Sequence, residues 1–171
     1  MMIDLFKKSL LSQYHAALAM LRDAVEKCPE AHWHGRVGAQ PFSHVAYHAL
    51  FFADFYLSQD EASYRRPSFH REEYQFFGGT KLPPEEEPIA DFPFPRAVIL
   101  EYVDYCRRKA TESLAAETAE SLAGPSGFPW YKIPRAEFLL GNLRHIQHHA
   151  AHMSLYLRRA AGIEIGWVGK G

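Results

Sequence analysis

The run Asn142-Leu143-Arg144-His145-Ile146-Gln147-His148-His149-Ala150-Ala151-His152 places four histidines in eight residues, inside an apolar stretch with helical periodicity. On an α-helix His145 and His149, four apart, project the same way from successive turns, and His152 falls close to the same line. Imidazole is the commonest transition-metal ligand among side chains, and an i, i+4 pair can hold one ion without bending the backbone. A second pair at that spacing lies far upstream, His44 and His48 in Phe42-Ser43-His44-Val45-Ala46-Tyr47-His48. Both pairs sit among Phe, Tyr, Ile and Leu. Burying such rings without partners costs on the order of 1–3 kcal/mol per unsatisfied group, a penalty that bonding to a metal removes.

Working outward, the last helix is read from Pro134 to Ala161, with Gly162 as its terminator. Three more helices have matching stripes. The first runs from Asp4 to Lys27 through Leu11, Tyr14, Leu18, Leu21 and Val25, and stops before Pro29. The second begins near Pro41 and continues to Ser58, apolar on most sides and therefore buried. The third opens near Phe94-Pro95 and extends to Glu120 through Ile99, Val103, Cys106, Ala110 and Leu114. Between the second and third lies a long segment with Pro67, Pro83, Pro84, Pro88, Pro93 and Gly78-Gly79, in which Ser68 to Phe77 is a candidate short helix. Loops of that length inside a domain are usually functional or partly helical, and this one could cover a pocket. No strand alternation is visible. The fold class that follows is all-α, a four-helix bundle with a long crossover between helices two and three, as a single domain over residues 1–171.

Composition narrows the function classes. Hydrophobic residues make up 47% and charged residues 23%, with 19 basic and 20 acidic side chains and a formal net charge of −1. That balance argues against disorder, a nucleic-acid surface or a polybasic membrane anchor. No segment approaches the roughly 18 uninterrupted apolar residues of a membrane-spanning helix, and Met1 to Lys8 lacks the pattern of a signal peptide, so a cytoplasmic protein is expected. Cys28 and Cys106 match no CxxC pattern and read as free thiols. The acid run Glu85-Glu86-Glu87 reads as solvated surface. His15, His32, His34 and His70 fall in polar or loop settings, and His148, rotated about 100° from His149, faces solvent or a neighbouring element. There is no HExxH, no Glu-x-x-His pair, no GxSxG elbow and no phosphate loop.

With these residues in view, the chain resembles the DinB-like (DinB/YfiT) superfamily of metal-binding four-helix bundles. His145-Ile-Gln-His148-His149-Ala-Ala-His152-Met-Ser-Leu-Tyr-Leu-Arg158 overlies the family's last-helix signature, N-H-x-x-H-H-R-G-Q, with His145 and His149 on the two ligand positions. His48 is the better match to the third ligand and His44 the runner-up. Two departures stand out. Ala150-Ala151-His152 replaces Arg-Gly-Gln, and the carboxylate that often follows the helix-two histidine has no counterpart, Asp54 falling on another face. The resemblance implies a metal site of His48, His145 and His149 holding a divalent transition metal, with zinc or nickel favoured over iron or manganese. It further implies a short turn between the first two helices, a homodimer, and one of two chemistries, metal-dependent hydrolysis or transfer of a low-molecular-weight thiol to an electrophile. In that reading His152 carries protons as the candidate catalytic group, and Tyr47 or Tyr156 orients a small-molecule substrate. The alternatives are a stress-associated bundle with no catalysis, its site closed by a fourth ligand from His44 or His152, and an interaction domain whose histidines are hydrogen-bonded in the core.

Overall fold

Helix α1, Met2–Lys27, ends where Cys28-Pro29 removes the next backbone donor, and Leu18, Leu21 and Val25 on its inner face are fully buried. Helix α2, Phe42–Leu57, starts directly after Pro41 and is buried on nearly every side, as its continuous apolar sequence requires. Helix α3, Arg96–Ala116, buries the whole stripe Ile99, Val103, Cys106, Ala110 and Leu114. A short α4, Ala119–Ala123, precedes the long α5, Arg135–Ala161. Gly162 caps α5 in the left-handed conformation at φ 67°, and its N–H donates to the Leu157 carbonyl. The computed structural model describes residues 2–75, 77 and 95–171.

Helices α1 and α2 each pack against both α3 and α5 but hardly touch one another, so they occupy the diagonal of a four-helix bundle. Their link is accordingly not the short turn expected. Residues 28–41 must cross the bundle end, and they do so through a 3-10 turn, Glu30–His32, and a two-stranded hairpin. In that hairpin β1, Arg36–Val37, pairs antiparallel with β2, Gln40–Pro41. Two-residue strands carry too little alternation to be read from sequence.

The third helix is also shorter than its periodicity suggests. It stops at Ala116, Glu117 turns extended, and Thr118 begins α4 with a capping box to Ser121. Glu117 leaves the helix because its carboxylate is drawn inward to the buried Arg135, 3.0 Å from Nε. Of the candidate helix over Ser68 to Phe77, the described residues form a 3-10 turn, Glu72–Tyr74. The crossover residues Gly78-Gly79, Pro83, Pro84, Glu85-Glu86-Glu87, Pro88 and Pro93 lie outside the described residues, as does Phe94. No described helix is long and apolar enough to cross a membrane. Cys28 and Cys106 are buried free thiols, and burial pushes the Cys28 thiol up to about 11, so neither is a reactive thiolate at neutral pH.

Candidate metal centre

The contact between α2 and α5 brings His48 to His145 and His149. One potential ligand atom from each of the three rings lies within 4.8 Å of the other two. His145 and His149 face each other through Nε2, 3.0 Å apart. That separation is close to the edge of about 3.3 Å expected for two nitrogens on one tetrahedral zinc ion. The His48 ring centroid is 5.3 Å from that of His145 and 5.0 Å from that of His149.

The tautomer of His48 is fixed by its surroundings. Its Nδ1 lies 2.8 Å from the Gln75 carbonyl, which can only accept, so Nδ1 carries the proton and Nε2 keeps its lone pair. Phe77 stacks on the same ring at 3.8 Å, and Phe52 meets its edge at 4.8 Å. Burial together with mutual repulsion strips these rings of protons. His48 is pushed down to about 3 by burial and by His145, and His145 to about 4 by burial and His148. His149 falls to about 2 through burial and then its neighbours His145 and His48. All three are neutral imidazoles at physiological pH, the form that ligates.

Among the described residues the remaining histidines do not join this group. His44, one turn before His48 and fully buried, turns Nε2 to the Tyr74 carbonyl at 2.8 Å and its ring edge to Phe77. His148 and His152 are exposed and pair with each other, ring centroids 4.1 Å apart, while His152 stands 6.3 Å from His149. His34 Nδ1 lies 3.4 Å from Ser43 Oγ, and His70 is half-buried beside Tyr64. Asp54 points away, as its position on the helix implied. Lys109 Nζ at 2.5 Å and the hydroxyls of Tyr102 and Tyr64 surround it. The two tyrosines expected to orient substrate are engaged elsewhere. The Tyr47 hydroxyl accepts from the Arg71 N–H and donates to the Arg71 carbonyl, and the Tyr156 hydroxyl pairs with His32 Nδ1 at 2.9 Å.

A cavity of about 290 Å³ opens onto His48 and His145, walled by Phe52, Tyr56, Tyr131 and Phe138. Sequence reasoning missed these four rings. A signal was available in the helical spacing, since Phe52 and Tyr56 follow His48 at i+4 and i+8 and Phe138 precedes His145 by seven residues. Tyr131, in the segment before α5, carried no such signal.

Three neutral imidazoles converging beside a cavity form a donor set suited to a divalent transition metal, with ligand positions left for water or substrate. A family model described as the DinB superfamily matches residues 13–153. No curated protein and no solved structure matches the chain significantly.

Proposed function

Because the chain belongs to the DinB superfamily, we propose that it is a metal-dependent enzyme acting on a small molecule, its ion held by Nε2 of His48, His145 and His149. One observation carries this reading: the three histidines converge at the edge of a cavity large enough to admit a ligand. Bound there, a divalent transition metal would supply Lewis acidity, lowering the pKa of a water or thiol in its open position and polarising an electrophile. Hydrolysis and thiol transfer both use that chemistry.

The chain's own residues do the rest. His48 presents a lone pair because the Gln75 carbonyl holds its other nitrogen. The α5 backbone fixes His145 and His149 at chelating separation. Phe52, Phe77 and the cavity rings exclude bulk water from His48, which strengthens electrostatic interactions in the site. Closure by a fourth histidine is disfavoured. His44 Nε2 is committed to the Tyr74 carbonyl, and His152 is exposed one turn away. This favours an open site over the purely metal-binding alternative.

Elemental analysis of untagged protein tests the proposal. About one ion per chain is expected in the parent, and much less than that in His48→Ala, His145→Ala and His149→Ala, whereas His44→Ala keeps its ion. Parent protein that stays metal-free when offered zinc, nickel, iron and manganese would overturn it.

A further inference from the structure

The cavity beside the three histidines has a chemical character of its own. Its rings are inclined to one another: Phe52 to Tyr56 at 47°, Tyr56 to Phe138 at 67° and Tyr131 to Phe138 at 57°, with centroids 4.8–5.2 Å apart. Inclined rings present both faces and edges to the enclosed space, the arrangement in which an aromatic guest finds offset and edge-to-face partners. Among the described residues lining it there is no Asp, Glu, Lys or Arg. A cationic guest would lose its hydration with no carboxylate in return and would face the positive ion proposed on the histidines, whereas an anion would find that ion as its counter-charge. Arg135 lies beyond the Phe138 ring, 5.8 Å from its centroid, and is bound to Glu117. Besides His48 and His145, the polar residues of the lining are Tyr56, Tyr131 and Asn142. Burial favours the protonated form of the Tyr56 phenol, leaving a hydrogen-bonding hydroxyl without charge.

Size points the same way. The volume of about 290 Å³ is at the lower end of small-molecule pockets, suited to one or two fused rings. Gly141, on the same helix face as His145, also lines the space, and a Cβ built on it meets nothing within 4 Å. Tyr131, partly exposed, marks the mouth.

We infer that this cavity is the substrate pocket of the proposed metal centre, and that it selects an aromatic small molecule without positive charge, whose reacting group lies against His48 and His145. The inference rests on reading the three histidines as the reacting centre.

The test titrates protein as purified, at pH 7, with three probes of similar size, using calorimetry or ligand-observed NMR. The probes are 2-naphthol, its saturated counterpart decahydro-2-naphthol, and the cation 2-naphthylmethylammonium. The expected result is that 2-naphthol binds about tenfold or more tightly than either of the others, the ratio set by lost ring contacts or an unpaired buried charge. Gly141→Leu should fill the space and weaken 2-naphthol by about tenfold, while Gly141→Ala, which adds one methyl in open space, retains binding. Both variants should melt at or above the parent temperature, since a helical glycine is replaced by better helix formers. Equal affinity for all three probes, tighter binding of the cation, no binding of 2-naphthol, or unchanged binding in Gly141→Leu would each overturn the assignment. Metal content measured on the same samples keeps the two readings apart. Selective 2-naphthol binding without an ion supports the pocket and counts against the metal centre, whereas an ion without 2-naphthol binding sinks the pocket alone.

Discussion

Replacing Glu117 by leucine should destabilise the fold more than almost any other single change. Its carboxylate is completely buried, the Arg135 side chain is 2% exposed, and Oε1 lies 3.0 Å from Arg135 Nε. Gln59 Nε2 and Ser121 Oγ also donate to the carboxylate. Arg135 in turn donates through Nη1 to the Tyr56 and Ser126 carbonyls, and its Nη2 has no hydrogen-bond partner among the described residues. Taking away the carboxylate leaves a guanidinium in the interior with neutral carbonyls alone, a loss of about 3–5 kcal/mol. Folding free energies are typically about 5–15 kcal/mol, so this is a large share. With a urea dependence of about 2 kcal/mol per molar, the midpoint should fall by roughly 2 M. The assay is urea unfolding followed by circular dichroism for Glu117→Leu, Arg135→Met and the double variant. If the penalty comes from the unpaired charge, the double variant must be more stable than Glu117→Leu, because it removes the orphan. A Glu117→Leu loss below about 1 kcal/mol, or a double variant that merely sums the two singles, would refute the argument.

Acid should act on the metal-free protein through the histidines. Their folded values of about 3, 4 and 2 lie below the unfolded value near 6.5, so the unfolded chain binds more protons. The stability this represents is present above pH 6.5 and is lost as pH falls towards the folded values. At pH 4.5 each ring contributes a loss of up to about 2–3 kcal/mol, and a flat melting temperature between pH 6.5 and 4.5 would refute it. His149→Gln should flatten part of that slope. Lys109→Met should cost about 3 kcal/mol in a chemical melt, because Asp54 is completely buried and loses its cation, whereas a change near zero would mean the tyrosine hydroxyls suffice. Gly162→Ala should cost about 1 kcal/mol from backbone strain alone, since φ is 67° and nothing crowds an added Cβ, and a neutral result would show that the cap relaxes.

Much of this architecture is written in local spacing. The i, i+4 histidines of α5, the stripe on α3 and the Gly162 stop are all periodic or punctuated signals, and each appears in the fold where the periodicity placed it. What stayed hidden depends on partners distant in sequence. The α3 stripe offers no reason to stop at Ala116. The reason is Arg135, which reaches Glu117 only once α5 has docked. Nor does spacing reveal that α1 and α2 are diagonal, which is what lengthens their link. At the site, the spacing identified candidate rings but not which way each tyrosine is committed. Tyr47 and Tyr156 are taken up by Arg71 and His32, while Tyr56 and Tyr131 face the cavity.

His48 has two working edges on one five-membered ring. On one side Nδ1 donates to the Gln75 carbonyl, and on the other Nε2 keeps the lone pair with which a ligand binds. Donation at one nitrogen of an imidazole enriches the other, raising its strength as a ligand. The peptide leaving the Glu72–Tyr74 turn thus acts as a tuning screw for a nitrogen it never touches. Loosening residues 74–75 would weaken the ligand without altering a single side chain of the triad. Conversely, anything that draws density from Nε2 makes Nδ1–H a better donor and fastens that peptide more firmly to α2. The backbone after the turn and the chemistry beside the cavity therefore report on one another across the width of one ring.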